Sequence, residues 1–94
     1  MKIRKLIWSK HCCDRIAHHR VRTYEIEEAC FGQPLTVQAV TETNNPIFYT
    51  LGQTRTGRYL FCVVLQLANG DGYPIMARRM TSKERRYYQQ WKQS

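Results

Sequence analysis

The chain passes from an apolar, strand-like run into a helix at Ala77-Arg78-Arg79-Met80-Thr81-Ser82-Lys83-Glu84-Arg85-Arg86-Tyr87-Tyr88, where nine positions hold five of its fifteen basic residues. Thr81 followed by Glu84 is a capping box. In it the threonine oxygen takes the backbone N–H three residues on, and the glutamate reaches back to the threonine N–H. A helix therefore starts at this point and runs from Ser82 to about Gln93. Arginines just before that start stand near the free N–H groups of its first turn, so side-chain and backbone donors converge where a phosphate fits.

Outward from that junction, 94 residues make a single domain spanning 1–94, with a real but modest core. A hydrophobic fraction of 43% with 23% charged residues is ordinary for a globular protein. The charge balance is not: fifteen Lys and Arg against seven Asp and Glu give +8. Such a balance favours a polyanionic partner, nucleic acid or an acidic protein, over a surface that is basic without purpose. Cys12, Cys13, Cys30 and Cys62 form no CxxC pair and a poor disulfide framework, which fits reduced thiols. The apolar run near Met1 is too short for a signal peptide, and no stretch approaches the roughly 20 apolar residues of a membrane span. The expected location is the cytoplasm.

The remaining elements follow from periodicity. Lys2 to Trp8 is β-branched and aromatic enough for a first strand. Ser9 offers an N-cap for a helix on which Cys12, Ile16 and His19 share one stripe. A second helix opens at Thr23 with Glu25, Glu27 and Glu28 in its early turns, buries Ile26, Ala29 and Cys30, and ends at Gly32 and Pro34. From Leu35 the period turns toward two, and Thr43-Asn44-Asn45-Pro46 reads as a turn. Ile47 to Leu51 is the next strand and Gly52 to Gly57 a hairpin loop. Arg58 to Leu67, the most apolar run, is expected as a central strand covered on both faces. Asn69-Gly70-Asp71-Gly72 turns the chain into a last strand, Tyr73 to Arg78. The class is α+β: a small antiparallel sheet of four to five strands, flanked by two N-terminal helices and one C-terminal helix. On that last helix Tyr87, Tyr88 and Trp91 form an aromatic side that reads as core, with Tyr87 mainly buried.

These pieces resemble the BrnT-type ribonuclease toxins of bacterial type II toxin–antitoxin modules. The resemblance rests on Ile7-Trp8, on His19 two before Val21, and on Glu25-Ile26-Glu27-Glu28-Ala29. It continues through Leu51-Gly52-Gln53-Thr54, Gly57-Arg58-Tyr59-Leu60-Phe61 and the Ala77 to Tyr88 run. It implies a RelE-like fold and RNA cleavage with no metal or other cofactor. It also implies neutralisation by a cognate antitoxin of the ribbon-helix-helix type encoded in an adjacent gene, and DNA contact only through the joint complex. One position departs from the family: Arg20 stands where its members carry glycine. Glycine forms a left-handed helix C-cap at little cost, whereas arginine adopts it under strain or takes another geometry, aiming His19 differently.

Cleaving RNA without a metal sets the 2′-OH against the neighbouring phosphorus. A base takes the hydroxyl proton, donors neutralise the phosphate oxygens and an acid protonates the departing 5′-oxygen. Arg78 is the first candidate for the phosphate and Arg58 the second, both at strand ends, since an arginine fork binds two phosphate oxygens. His19 is the acid or base by residue type, set against a structural histidine on the Cys12–Ile16 stripe. Tyr88 is a proton donor set against packing, and Glu27 and Glu28 are bases set against a solvated helix face. Arg79, Arg85, Arg55 and Lys10 are the candidates for holding RNA. The crowding of His11, Cys12, Cys13, His18 and His19 lacks the i, i+3 or i+4 pairs of a metal site on one helix. The alternative function is a module that grips nucleic acid or an acidic partner with the same basic face and does no chemistry.

Overall fold

A computed structural model describes residues 3–39 and 45–93. The helices α1 (Lys10–His18) and α2 (Thr23–Phe31) come first. Four strands follow, β1 (Leu35–Gln38), β2 (Ile47–Gln53), β3 (Tyr59–Gln66) and β4 (Gly72–Arg79), and α3 (Ser82–Gln93) closes the chain. The strands form one antiparallel sheet in the order β1-β2-β3-β4, a meander in which every strand pairs with its sequence neighbour. This is the expected α+β arrangement. Of the turn expected at 43–46, residues Thr43 and Asn44 lie outside the described residues.

Each helix begins where the sequence supplies a cap. The Ser9 hydroxyl accepts from Cys12 N–H at 3.0 Å, and Glu25 reaches back to the Arg22 N–H at 3.0 Å. At α3 both halves of the capping box form: Thr81 N–H to Glu84 Oε1 at 2.8 Å and Glu84 N–H to Thr81 Oγ1 at 3.2 Å. Such caps are each worth about 1 kcal/mol.

Strand register assigns the two faces of the sheet. Leu60, Cys62 and Val64 of β3 pair with Gly52, Thr50 and Phe48 of β2 and point to the face covered by α1 and α2. There they join Cys12, Ile16, Val21, Ile26, Ala29, Cys30 and Ala77 in the core. Each large side chain buried here contributes roughly 1.5–3 kcal/mol. Gly52 belongs to β2, not to the hairpin loop, and a Cβ there would collide with the Ala29 backbone carbonyl, so the glycine is what lets α2 lie on the sheet. The turn itself is Thr54–Gly57, closed by Gly57 N–H to Thr54 O at 3.0 Å, with Gly57 at φ 97°.

Three expectations need correction. No strand forms at Lys2–Trp8 among the described residues. Leu6 makes a single parallel bridge to Gly72, because α1 begins at once and Pro74 of β4 has no N–H while its carbonyl accepts from Cys12 Sγ. The central strand β3 is covered on one face only: Leu60, Cys62 and Val64 are buried, while Phe61, Val63 and Leu65 remain half-buried. The reason is the reach of α3, which covers the Tyr59 end of that second face through Tyr88. On α3 itself Tyr87 is 57% exposed and Tyr88 only 1%, so Tyr88 is the core residue and Tyr87 is not.

Candidate nucleic-acid interface

The start of β3, the end of β4 and the first turns of α3 meet at one margin of the sheet. Arg58, Tyr59, Arg79, Met80 and Arg85, with Gly57, line an open cleft of about 240 Å³ there. Met80 N–H donates to the Tyr59 carbonyl at 3.0 Å, which fixes the floor. The Arg85 guanidinium lies over the Tyr59 ring, 4.5 Å from its centroid. A cation on an aromatic face gains about 0.5–1 kcal/mol at an exposed position and stays available to an anion on its open side. The Tyr88 and Tyr59 rings meet in a T-shaped contact with centroids 6.1 Å apart. Neither Arg79 nor Arg85 has a carboxylate partner among the described residues.

Tyr59 is the group in this cleft whose proton is loosened. Gln89 Nε2 donates to its hydroxyl at 3.2 Å, and that hydrogen bond, aided by nearby Arg85 and Lys92 and opposed by partial burial, lowers its pKa below the usual 10.0. Sequence reasoning passed over Tyr59 as a functional residue. The signal lay in its place at the start of a strand, directly after Arg58.

Arg58 contributes to the cleft wall with its charge already engaged. Its guanidinium pairs with Glu25 and donates to the Arg20 carbonyl at 3.1 Å. Glu25 is buried; burial raises its pKa, but the Arg22 N–H and the Arg58 guanidinium outweigh that and leave it lowered. Arg20 is the non-glycine residue with positive φ among those described, at 57°. Arginine therefore adopts the left-handed conformation that suits glycine, at a cost in strain that the Arg58 bond to its carbonyl helps to offset. His19, just before it, caps α1 and is exposed, so it leaves the buried Cys12–Ile16 stripe, and it is not among the residues that line the cleft.

Arg78 lies at the same margin on the face opposite Arg58, the face that also carries Tyr59 and Phe61. It pairs in register with Phe61, lies 4.4 Å over that ring and forms a two-pronged bond to Glu84 at 2.8 and 3.0 Å. That bond raises the Arg78 pKa and is the largest cause lowering that of Glu84. The strand ends thus bring Arg58 and Arg78 to one margin but on two faces, each with a carboxylate. Tyr88 is enclosed: its hydroxyl donates to the Gln33 carbonyl at 2.9 Å, and burial raises its pKa. Arg55 stands in the β2–β3 turn, well exposed and 3.9 Å from Glu28. Lys10 opens α1, at the end of that helix away from His19, and is not brought to the cleft. Glu27 accepts from Trp8 Nε1 at 2.9 Å.

The site is thus an open, positively charged cleft on an antiparallel meander, with the Tyr59 ring in its lining. No family model, curated protein or solved structure matches the chain.

Proposed function

We propose that the chain is a ribonuclease acting on single-stranded RNA through the Arg58–Tyr59–Arg79–Arg85 cleft. The observation that carries this reading is the pair of arginines without carboxylates, Arg79 and Arg85, set around a tyrosine whose proton is loosened by Gln89. In this scheme Arg79 and Arg85 take the oxygens of one phosphate and neutralise charge as it grows. In the molecules whose Tyr59 is ionised, its oxygen takes the proton of the 2′-OH, and the 2′-oxygen attacks phosphorus. The bond to the 5′-oxygen then breaks, and that oxygen takes a proton from His19 or from water. The products are a 2′,3′-cyclic phosphate and a free 5′-hydroxyl. The toxin role, a neutralising antitoxin from an adjacent gene and DNA contact through the joint complex belong to this proposal through the sequence resemblance. A cytoplasmic setting belongs to it as well. The four cysteines, all free thiols, support that setting, and among the described residues no helix is long and apolar enough to cross a membrane.

A second reading has its own observation in support. Arg58 and Arg78 are held by Glu25 and Glu84, and the Tyr88 hydroxyl is spent on a backbone carbonyl, so three of the four residues first considered for catalysis are engaged. A module that only binds RNA needs no free acid or base. The experiment that separates the two incubates the purified chain with RNA in EDTA and examines the ends of any fragments. Cyclic-phosphate fragments that vanish in Tyr59→Phe support cleavage. Salt-steep binding with RNA left intact selects the binding module.

A further inference from the structure

The second face of the sheet is more apolar than a solvated face should be. A one-sided antiparallel sheet normally alternates apolar residues inward with polar residues outward. Here β3 turns Leu60, Cys62 and Val64 to the core, yet its outward residues are Phe61, Val63 and Leu65. Register continues that character sideways into Tyr49 and Val37 on one side and Met76 on the other. Tyr49 and Val37 are 42% and 43% exposed. Alongside, a groove of about 570 Å³ opens between α3 and the sheet, floored by Leu51 and walled by Tyr87, Lys83 and Arg86. A contiguous apolar face rimmed by charge marks a protein contact.

We infer that this face, with the groove beside α3, is the docking surface for an amphipathic acidic helix of another protein. The sheet presents its face here, so a partner meets side chains and not free backbone groups, which suits an apolar helical stripe laid in a groove. The rim sets the sign of the flanks. Lys83 and Arg86 are exposed, while the one carboxylate on the groove, Glu84, is already held by Arg78 and the Thr81 N–H. A second copy is the poorer fit, since it brings the same lysine and arginine and a charge of +8 against +8. RNA is the poorer fit as well. The face is mainly aliphatic, one side of the Phe61 ring is taken by Arg78, and Tyr49 leans against Phe61 with centroids 5.9 Å apart. The inference goes beyond RNA cleavage and does not depend on it: a chain that cuts no RNA keeps the same open face.

The test pans a displayed library of helical peptides, with all outward positions randomised, against the full chain. The recovered peptides are expected to carry apolar residues at i, i+3 or i+4 and i+7 with a net negative charge on the flanks. Their affinity should fall at least about tenfold for Tyr49→Glu and for Lys83→Glu with Arg86→Glu, and hold within about twofold for Tyr49→Phe. Thermal unfolding checks that each variant remains folded. Neutral or basic binders, binders indifferent to Tyr49→Glu, or no binders at all would overturn the inference. So would a wild-type dimer in sedimentation that Tyr49→Glu dissociates, which gives the face to a second copy. Competition between the peptides and oligouridine would overturn it too, by giving the face to nucleic acid. RNA cutting is not read in this experiment, so its failure and that of the ribonuclease proposal remain separate.

Discussion

Arg78 and Arg79 are neighbours in the chain and opposites in their surroundings. Arg78 turns to the α3 face, over Phe61 and into the two-pronged grip of Glu84. Arg79 pairs in register with Leu60 and lines the cleft with Arg85 and Tyr59, where no carboxylate among the described residues meets it. A period of two along β4 separates them, and one glutamate decides which is still free for an anion. The lesson is that a cluster of arginines at a sheet margin does not by itself locate a phosphate. The carboxylates must be placed first.

The largest effect should come from emptying the cleft. Arg79→Ala with Arg85→Ala is expected to reduce RNA cutting by about 100-fold or more. Stability should fall by less than about 1 kcal/mol in thermal unfolding, chiefly through loss of the Arg85 stack on Tyr59. Next in size, Arg78→Ala should behave in the reverse way. It leaves Glu84 without its partner, and because that pair is partly exposed the cost is roughly 1 kcal/mol, while cutting stays within about threefold. Equal losses of cutting in the two variants would erase the contrast between the two arginines.

Smaller changes sharpen it. Glu25→Gln removes the carboxylate from Arg58 and releases a third guanidinium to the cleft wall. The slope of log affinity against log salt for an RNA oligomer is then expected to steepen by about one phosphate contact. The smallest effect concerns acid. Glu25 and Glu84 are both held below the usual 4.5, so each contributes stability that is complete above that value. It is lost as pH falls from there through the lower folded value. Urea unfolding of Glu84→Gln should accordingly show a shallower acid limb than the wild type.

Much of the architecture was legible because local signals and burial agreed. Thr81 and Glu84 cap α3 as their spacing requires, Gly32 ends α2, and the period-two run from Leu35 and the apolar runs after it become the four strands. What failed was information that only packing supplies. The apolar run through β3 suggested cover on both faces, but α3 crosses the end of the sheet at Tyr59, Gln53 and Gln33 and leaves Val63 and Leu65 half-buried. The burial of Tyr88 and exposure of Tyr87 followed from a helix phase set by that contact. At the candidate site, sequence drew Arg58 and Arg78 together and missed Tyr59, because neither the face of each strand end nor the partners Glu25 and Glu84 could be read from residue type. The sequence left open whether Arg20 takes a left-handed turn under strain or another geometry, and its φ of 57° shows that it takes the left-handed turn.

The most direct measurement of the claim that the cleft holds phosphate follows the arginine side chains themselves. Guanidinium Nε–H signals of the labelled chain would be recorded during titration with a single-stranded RNA blocked at its 2′ positions so that it cannot be cut. Binding at the cleft predicts that the Arg79 and Arg85 signals move together and that Arg78, held by Glu84, stays in place. Movement of Arg78 with Arg79 and Arg85 unchanged would contradict it.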